Sequence, residues 1–531
     1  MQVQPHYPRV LRATLVCSIL LAIIISPAPL TWKNLASAST IDQILKTHVM
    51  PIQPIQIRYN PIPVRHVLST STAAQPVLLA CQDNANPQPS LCYGPYQVRQ
   101  AYNVNALLER GITGKGTSIT IIDAYGNPYI RKDLQTFNAI WGLPNSRLNI
   151  IAPFGVDGTD NSWIAETSLD VEWAHVMAPE ATINLVLARD SNDYSIYKVL
   201  SYAVAHNLSD IISLSFGENE NCVDAELRRE EHQLFREATR KGITLVAATG
   251  DFGSAQMACE SNTFEKAISF PSDDPLVTAV GGTTLEADAS SGQYVREKTW
   301  NESRAFNKAT GGGYSRFYHA PAFQSGLAGT SAGRGVPDLS LNASVNGGVI
   351  VFESHSARQQ HPTIDIMGGT STAAPEMAGL FADAVQMAHH RLGMLNPALY
   401  RLGNGPGYHQ LMNDIASGDN VLLSSGFAGY RAGPGWDAAT GWGTPKDAGS
   451  FLKALIAATS KDTGTGPGSS KSAPPLPARP QPSLTPTPGI PISLPVEQQT
   501  PPPAVTPTNP PDQDLLTNDS KALRLTRKRT K

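Results

Sequence analysis

The sequence predicts an α/β protein with a doubly wound fold, in which a parallel sheet carries helices on both of its faces. Two observations support this prediction. Several short runs of Ile, Val, Leu and Ala are apolar at every position, and amphipathic segments of helical length lie between them. Strands that are apolar on both sides belong to sheets covered on both faces. In such folds, active-site residues gather at the carboxyl ends of the strands.

The elements follow one another along the chain in this alternating order. An amphipathic helix is predicted at residues 224–241, and another at residues 376–390, after the segment GGTSTAAP. The predicted buried strands are SITIID at 118–123, ATINLVLA at 181–188, DIISLS at 210–215 and ITLVAA at 243–248.

The N-terminus has the pattern of a secretory signal peptide. Arg9 and Arg12 precede an apolar run at residues 13–25, and the small residues 36–38 follow it. We therefore expect a secreted, extracellular protein, and an uncleaved N-terminal anchor is the alternative. The predicted parts are a signal peptide at 1–38, a short N-terminal segment at 39–86, a folded domain at 87–458 and a tail at 459–531.

The tail is rich in proline, serine and threonine, so it cannot bury enough apolar surface to fold and is predicted to be disordered. Lysine and arginine cluster in its last residues, 521–531. This basic tip is a candidate for contact with a cell wall or another anionic surface. A merely solvated tail is the alternative.

The overall composition excludes several classes of protein. Hydrophobic residues make up 41% of the 531 residues, which excludes a chain that is disordered throughout. The formal net charge of −3 argues against nucleic acid as a partner. Four cysteines remain after the signal peptide, and an exported chain can form two disulfides from them. Cys81–Cys92 with Cys222–Cys259 is the most economical of three pairings, and reduced cysteines are the alternative.

A serine nucleophile is predicted at Ser371. Small residues flank it and a helix follows it, so its backbone N–H and the helix dipole would face a developing oxyanion. The segment differs from the G-x-S-x-G elbow of α/β-hydrolases, because Thr372 and Ala373 follow the serine. A helix N-cap is the alternative role for Ser371.

Carboxylates are the predicted partners of this serine. Glu166 and Asp170 are four residues apart in a predicted helix, so they share a face and can touch. Two carboxyl groups this close share a proton, and one can act as a general base at acidic pH while the other orients it. Asp251 follows a strand end, where a protonated carboxyl can donate a hydrogen bond to an oxyanion. A solvated pair and a turn residue are the respective alternatives.

Short motifs extend in a fixed order over residues 93–451. They are Tyr96-Gln97, Glu166 to Asp170, Ser213 to Gly217, Gly250-Asp251, Phe270-Pro271, Val280 to Thr283, Gly311 to Ser315, Arg334 to Asp338 and Gly369 to Pro375. Together they resemble the sedolisin family of serine-carboxyl peptidases. The resemblance implies a subtilisin-like fold and cleavage of protein or peptide substrates at low pH. We expect a monomer.

The resemblance also implies roles for individual residues. Ser371 is the implied nucleophile, and Glu166 is the general base. Asp170 orients Glu166, and Asp251 is the acid of the oxyanion hole. Asp123 stands where relatives often have Glu and where subtilisins have their catalytic Asp. We expect a structural or proton-relay role for it.

One structural calcium ion is also implied by the resemblance. Two carboxylates and three backbone carbonyls would supply hard oxygen ligands that suit Ca²⁺. The matching residues are Asp414, Ile415, Gly433, Gly435 and Asp437.

Two other functions remain open from the sequence. One is a catalytically silent surface protein of the same fold, bound through its tail. The other is a neutral protease that uses a remote histidine such as His175 as its base. Relatives usually have a long folded pro-domain, whereas only the short segment 39–86 precedes the predicted domain here.

Overall fold

The structure is a computed structural model that describes residues 50–51, 55–59, 79–82, 90–354 and 363–459. The chain divides into two units, Met1–Pro467 and Gly468–Lys531, and every described residue belongs to the first. The predicted signal peptide and nearly all of the predicted tail lie outside the described residues. In the described part of the chain, no helix combines the length and apolar character needed to cross a membrane.

The described ranges contain ten α-helices and twenty-one strands, many of the strands very short. The helices are α1 Pro95–Ala101, α2 Asn105–Leu108, α3 Ile130–Trp141, α4 Asn161–Met177, α5 Asp193–Ala205, α6 Ala225–Arg240, α7 Thr370–Ala388, α8 Asn396–Gly403, α9 Tyr408–Leu411 and α10 Ala448–Thr459. The strands are β1 Met50–Pro51, β2 Ile55–Tyr59, β3 Cys92–Tyr93, β4 Ser118–Ala124, β5 Leu148–Ile151, β6 Thr182–Ala188, β7 Ile211–Leu214, β8 Phe216–Asn219, β9 Thr244–Ala248, β10 Gln256–Met257, β11 Phe264–Glu265, β12 Ser269–Phe270, β13 Thr278–Ala287, β14 Tyr294–Thr299, β15 Gly313–Tyr314, β16 Gly335–Val336, β17 Leu339–Asn342, β18 Gly348–Glu353, β19 Thr363–Gly368, β20 Met412–Asn413 and β21 Thr444–Pro445.

An eight-stranded sheet forms the centre of the fold. Its order is β14-β13-β9-β7-β4-β6-β5, and β17 pairs with β13 as well. Neighbouring strands are parallel, except that β13 and β14 are antiparallel. The four strands predicted from the sequence are β4, β6, β7 and β9, and each bound agrees to within one residue.

Helices cover both faces of this sheet, which confirms the doubly wound α/β prediction. α4 and α7 pack against each other on one face, while α5 and α6 cover the other. Strand β4 is buried from both sides, because Ile121 joins the α4–α7 core and Ile122 joins the opposite one. Burying each of these side chains stabilises the fold by roughly 1.5–3 kcal/mol.

Helix α7 begins at Thr370, six residues earlier than the sequence predicts. Proline lacks the N–H that a helix interior requires, so a helix that begins before Pro375 loses one hydrogen bond there. The structure places Pro375 inside the helix. Every residue from Thr370 to Val385 is buried, so packing outweighs the hydrogen bond lost at the proline.

The two N-terminal strands pair with strands that lead to Ser371. β2 runs antiparallel to β19, with Ile55 opposite Gly368. β1 runs antiparallel to β8, with Met50 opposite Gly217, and it also contacts α4. Residues 50–51 and 55–59 therefore lie along the edges of two strands next to the predicted nucleophile.

Two disulfides join the four cysteines. Cys81 is bonded to Cys92, and Cys222 is bonded to Cys259. The economical pairing predicted from the sequence is thereby confirmed. The first disulfide ties residues 79–82 to β3 at the start of the domain.

Candidate active site

Three polar residues lie at the carboxyl ends of neighbouring strands of the central sheet. Asp123 is near the end of β4, Ser215 directly follows β7, and Asp251 lies three residues beyond β9. All three side chains are buried. The sheet edge at which the fold class predicts an active site therefore carries the residues that the motifs single out.

Glu166 and Asp170 lie side by side on α4, over this edge. The helix begins after Asp160, whose carboxylate accepts hydrogen bonds from the N–H groups of Ser162 and Trp163. Both Glu166 and Asp170 are fully buried. Burial excludes the alternative of a solvated surface pair.

Burial and mutual repulsion govern the protonation of Glu166. Loss of solvent raises its pKa well above the usual range, and the charge of Asp170 raises it further. The Ser371 hydroxyl lowers this pKa, which shows that it lies close to Glu166. Among the described residues, neither carboxylate oxygen of Glu166 has a partner at full hydrogen-bonding distance and angle. Such contacts are often loose until a substrate is bound.

Asp123 extends this group of carboxyls by one member. Burial raises the pKa of Asp170 well above its usual range, and the charge of Asp123 is the second cause. Burial raises the pKa of Asp123 itself to about 7, against a lowering contact with the Thr167 hydroxyl. Protons on these carboxyls therefore belong to the group rather than to one side chain. The only sequence signal that Asp123 belongs to this group of carboxyls was its position in the first predicted strand.

Ser371 is the second residue of α7 and is fully buried. Its hydroxyl donates a hydrogen bond of 3.5 Å to the backbone carbonyl of Ser215. The hydroxyl therefore lies between the end of β7 and the carboxyl of Glu166. The structure brings the predicted nucleophile and base together across the gap between α7 and α4.

Asp251 reaches the start of α7 from the other side. Its Oδ1 accepts hydrogen bonds from the backbone N–H and the hydroxyl of Thr370, at 2.9 and 3.0 Å. Within the described chain, its Oδ2 has no hydrogen-bond partner. Gly369, at φ 132°, permits this approach, because a Cβ there would lie 2.8 Å from Oδ2.

The protonation of Asp251 follows from these contacts. Burial raises its pKa, while the Lys308 ammonium and the bonds from Thr370 lower it. Since Oδ1 already accepts two hydrogen bonds, a neutral carboxyl carries its proton on Oδ2. Among the described residues that O–H has no acceptor, so it is available to donate to a substrate group.

His175 does not join this group. It lies nine residues beyond Glu166 on α4, which corresponds to about 13 Å along the helix axis. It is buried, and burial together with the nearby Arg99 charge lowers its pKa to about 4. The geometry gives no support to a neutral protease with His175 as its base.

The predicted calcium residues lie on two loops, one at residues 414–415 and the other at residues 433–437. Hydrogen bonds join the two loops. The carboxylate of Asp414 accepts hydrogen bonds from Gly435 N–H at 3.1 and 3.2 Å, and Asp437 accepts one from Gly433 N–H at 3.1 Å. Burial raises the pKa of Asp437 to about 6. Among the described residues, no basic side chain pairs with either carboxylate. Two such carboxylates beside the backbone carbonyls of these loops form a donor set that suits Ca²⁺ in chemistry.

One other set of ligand-type atoms meets in the described residues. It consists of Cys222, Cys259 and Glu265. Its two sulfurs form a disulfide, so they are unavailable to a metal ion.

Comparisons with known proteins agree with this geometry. The model of the subtilase family matches residues 156–443. Kumamolisin of Bacillus sp. (strain MN-32) is 32% identical over 368 residues, which cover 66% of this chain and 62% of the relative. Sedolisin of Pseudomonas sp. (strain 101) is 31% identical over 349 residues, which cover 62% of this chain and 57% of the relative. The chain thus spans about six-tenths of the length of these curated relatives.

A solved structure shares the fold as well. It is Pseudomonas sedolisin, a serine-carboxyl proteinase complexed with two molecules of pseudo-iodotyrostatin. The TM-score is 0.61 at 29% sequence identity, and the match covers 68% of this chain and 98% of the solved chain.

Proposed function

The chain belongs to the subtilase family and, within it, to the sedolisins, and from this premise we propose that it is a serine-carboxyl endopeptidase that hydrolyses proteins at acidic pH. The observation that carries the proposal is the meeting of Ser371 with buried carboxyl groups from two sides. Glu166 approaches from α4 and Asp251 from the end of β9. A binding protein has no need of a serine hydroxyl placed against a buried carboxyl group.

The proposed chemistry gives each carboxyl group a separate role, and Glu166 carries out both proton transfers. Glu166 takes the hydroxyl proton of Ser371 as the oxygen attacks the carbonyl carbon of a peptide bond, and Asp170 orients Glu166. The carbonyl oxygen becomes an oxyanion, which the protonated Oδ2 of Asp251 stabilises by donating a hydrogen bond. Glu166 then protonates the leaving amine, and a water molecule releases the acyl group from Ser371 by the reverse steps.

The pairing of the N-terminal strands supports a peptide as the ligand. β1 occupies the edge of β8 next to Ser215, and β2 occupies the edge of β19, which leads into Ser371. These are antiparallel pairs made by backbone groups, which every peptide offers. We infer that an extended substrate binds along the same edges.

We further propose one structural Ca²⁺ held by Asp414 and Asp437, with the carbonyls of Ile415, Gly433 and Gly435. The ion would neutralise two carboxylates and fix their loops. These loops lie outside the proposed catalytic group, so the metal takes no part in peptide hydrolysis.

We also propose that the protein is secreted and monomeric, and that its tail holds it at an anionic surface. The signal-like sequence at 1–38 supports secretion, and two disulfides fit an oxidising compartment. The basic residues at 521–531 support contact with an anionic wall or membrane surface.

Hydrolysis of a denatured protein at about pH 4 tests the proposed function against a silent surface protein. We expect the purified wild type to degrade the substrate and Ser371→Ala to lose about 10⁴-fold of that rate. The circular dichroism spectrum should not change, because Ala fits the space that Ser leaves. A wild type without activity at any acidic pH, or an equally active Ser371→Ala, would contradict the proposal.

A further inference from the structure

A lysine side chain lies beside the proposed oxyanion site. The backbone of Lys308 and Ala309 runs along the loop after β9, where Ala309 N–H donates to the Asp251 carbonyl at 3.0 Å. Gly253 N–H donates to the Ala309 carbonyl at 2.9 Å, so both sides of the contact are fixed. The position of Lys308 next to Asp251 is therefore set by backbone pairing rather than by a flexible surface loop.

The side chain of Lys308 lies over an aromatic ring and has no anionic partner. Its Nζ is 4.2 Å from the ring centroid of Phe252, the residue after Asp251. The side chain is half-buried. Within the described residues, the ammonium forms no ion pair within 4 Å and donates no hydrogen bond. The face of the Phe252 ring attracts the cation. Unlike a carboxylate, however, the ring does not accept hydrogen bonds from the three N–H groups of the ammonium.

Two carboxyl groups act on this ammonium, and both belong to the proposed catalytic group. Burial lowers the pKa of Lys308, and the charges of Asp251 and Glu166 oppose this by raising it. During the proposed reaction Asp251 is protonated, and Glu166 loses its negative charge when it takes the serine proton. That charge passes to the oxyanion, and the three N–H groups of Lys308 still have no hydrogen-bond acceptor among the described residues.

We propose that Lys308 forms an anion subsite beside the oxyanion site, and that the enzyme therefore favours substrates with a carboxylate close to the scissile bond. This inference rests on the proposed function and adds a substrate class to it. The carboxylate is an acidic side chain or the C-terminal carboxylate of a short peptide. Because glutamate has a pKa of about 4.3 and an α-carboxyl of about 3.5, either is ionised at the upper end of the acidic range.

Matched peptides test the proposal. A neutral parent peptide is compared with versions that carry Glu or Gln at single positions on both sides of the scissile bond, at about pH 5. A second pair has a free or an amidated C-terminus. We expect kcat/KM to be at least about fivefold higher for a peptide with the carboxylate than for its amide counterpart. This difference should appear at one position of the Glu/Gln series, in the C-terminal pair, or in both. The ratio should fall as ionic strength rises.

Variants of Lys308 separate the effect of charge from an effect of structure. Lys308→Arg should retain the preference, Lys308→Gln should abolish it, and Lys308→Glu should reverse it in favour of a Lys-containing peptide. Lys198→Gln is the matched control. Lys198 also lies 4.2 Å from the centroid of a ring, that of Tyr194, but it is exposed and acts on neither catalytic carboxyl.

The outcomes distinguish this inference from the proposed function. Cleavage of the neutral parent peptide with equal rates for carboxylate and amide at every position overturns the subsite and leaves the peptidase intact. A preference that survives Lys308→Gln also overturns it. If no peptide is cleaved, the proposed function fails, and the subsite fails with it.

Discussion

At the scale of single residues, the proposed chemistry depends on which carboxyl holds a proton. Asp251 has to be neutral, because an anion there would repel the oxyanion. Burial raises its pKa and therefore keeps it protonated to a higher pH than a solvated Asp. Activity should fall as rising pH removes this proton.

Asp251→Asn tests this role. The amide still donates a hydrogen bond but does not titrate, so we expect a rate that is lower by less than the roughly 10²–10³-fold lost when an oxyanion donor is removed. The alkaline limb of the pH–rate profile should be flatter than in the wild type. Glu172→Gln is a matched control, since Glu172 is a buried carboxyl on α4 that binds the Phe352 N–H. An Asn variant with an unchanged alkaline limb would show that another group controls it.

The sequence predicted part of this residue-scale picture. Ser371, Glu166, Asp170 and Asp251 each stand in a recognisable motif, and the structure brings them together. Lys308 was not predicted, because a lysine in a loop has no periodicity or spacing that marks it. Only the folded structure shows that Lys308 lies near Asp251, because this depends on the pairing of Ala309 with the loop after β9.

At the scale of secondary-structure elements, the strands were predictable because their apolar runs reflect burial on both faces. The start of α7 was predicted six residues too late, because tertiary packing buries its first turns and the local sequence pattern does not show this packing. The N-terminal strands β1 and β2 were not predicted at all. The residues of β2, Ile-Gln-Ile-Arg-Tyr, do alternate between apolar and polar as in a strand, but five residues are a short signal and β1 has only two residues. Both segments pair with strand edges formed far along the chain.

The pairing of β1 and β2 predicts inhibition by a peptide. We expect a synthetic peptide of residues 49–60 to compete with substrate, because its backbone can occupy the edges of β8 and β19. The matched control carries Ile57→Pro, which removes one N–H opposite Ile366 and disturbs the pairing. Competitive inhibition is measured as a rise in KM. Equal inhibition by both peptides, or by neither, would contradict the pairing as a binding mode.

The loops of Asp414 and Asp437 predict stabilisation by calcium. Removal of a ligand that binds only the folded state lowers Tm, so a chelator should reduce Tm and added Ca²⁺ should restore it. Asp437→Ala should have a lower Tm that no longer responds to Ca²⁺. Differential scanning calorimetry on Ser371→Ala avoids self-digestion. A chelator that leaves Tm unchanged after confirmed metal depletion would count against the site.

At the scale of the whole molecule, many carboxyl groups are buried away from the proposed active site. Burial raises the pKa of Glu218 to about 9, and it raises the pKa values of Glu231 and Glu376 well above the usual range. Folding keeps these carboxyls protonated to a higher pH than in the unfolded chain. The predicted outer segments 1–38 and 459–531 lie almost wholly outside the described residues and stay predictions.

Buried carboxyl groups with raised pKa values determine whether the free energy of unfolding rises or falls with pH. Their pKa values are higher in the folded state than in the unfolded state, where they are about 4. The stabilisation is therefore complete below about pH 4 and is lost as pH rises towards 7 for Asp123 and 9 for Glu218. We expect the Tm of Ser371→Ala, at constant calcium, to fall by on the order of 10 °C between about pH 5 and pH 9. A Tm that rises over this range would contradict the burial of neutral carboxyls.

The pH dependence of peptide hydrolysis by the wild type tests the central claim most directly. The proposed mechanism needs Glu166 able to accept a proton and Asp251 still holding one, so kcat/KM should follow a bell-shaped curve with its maximum in acid. Burial raises the pKa values of both groups, so both limbs of the curve should lie at higher pH than those of solvated carboxyls. A single neutral peptide without titrating groups, measured from about pH 2 to pH 9 with Ser371→Ala as the blank, gives this curve. An acidic maximum with loss of activity on both sides is the result expected. A maximum at neutral or alkaline pH would contradict catalysis by carboxyl groups.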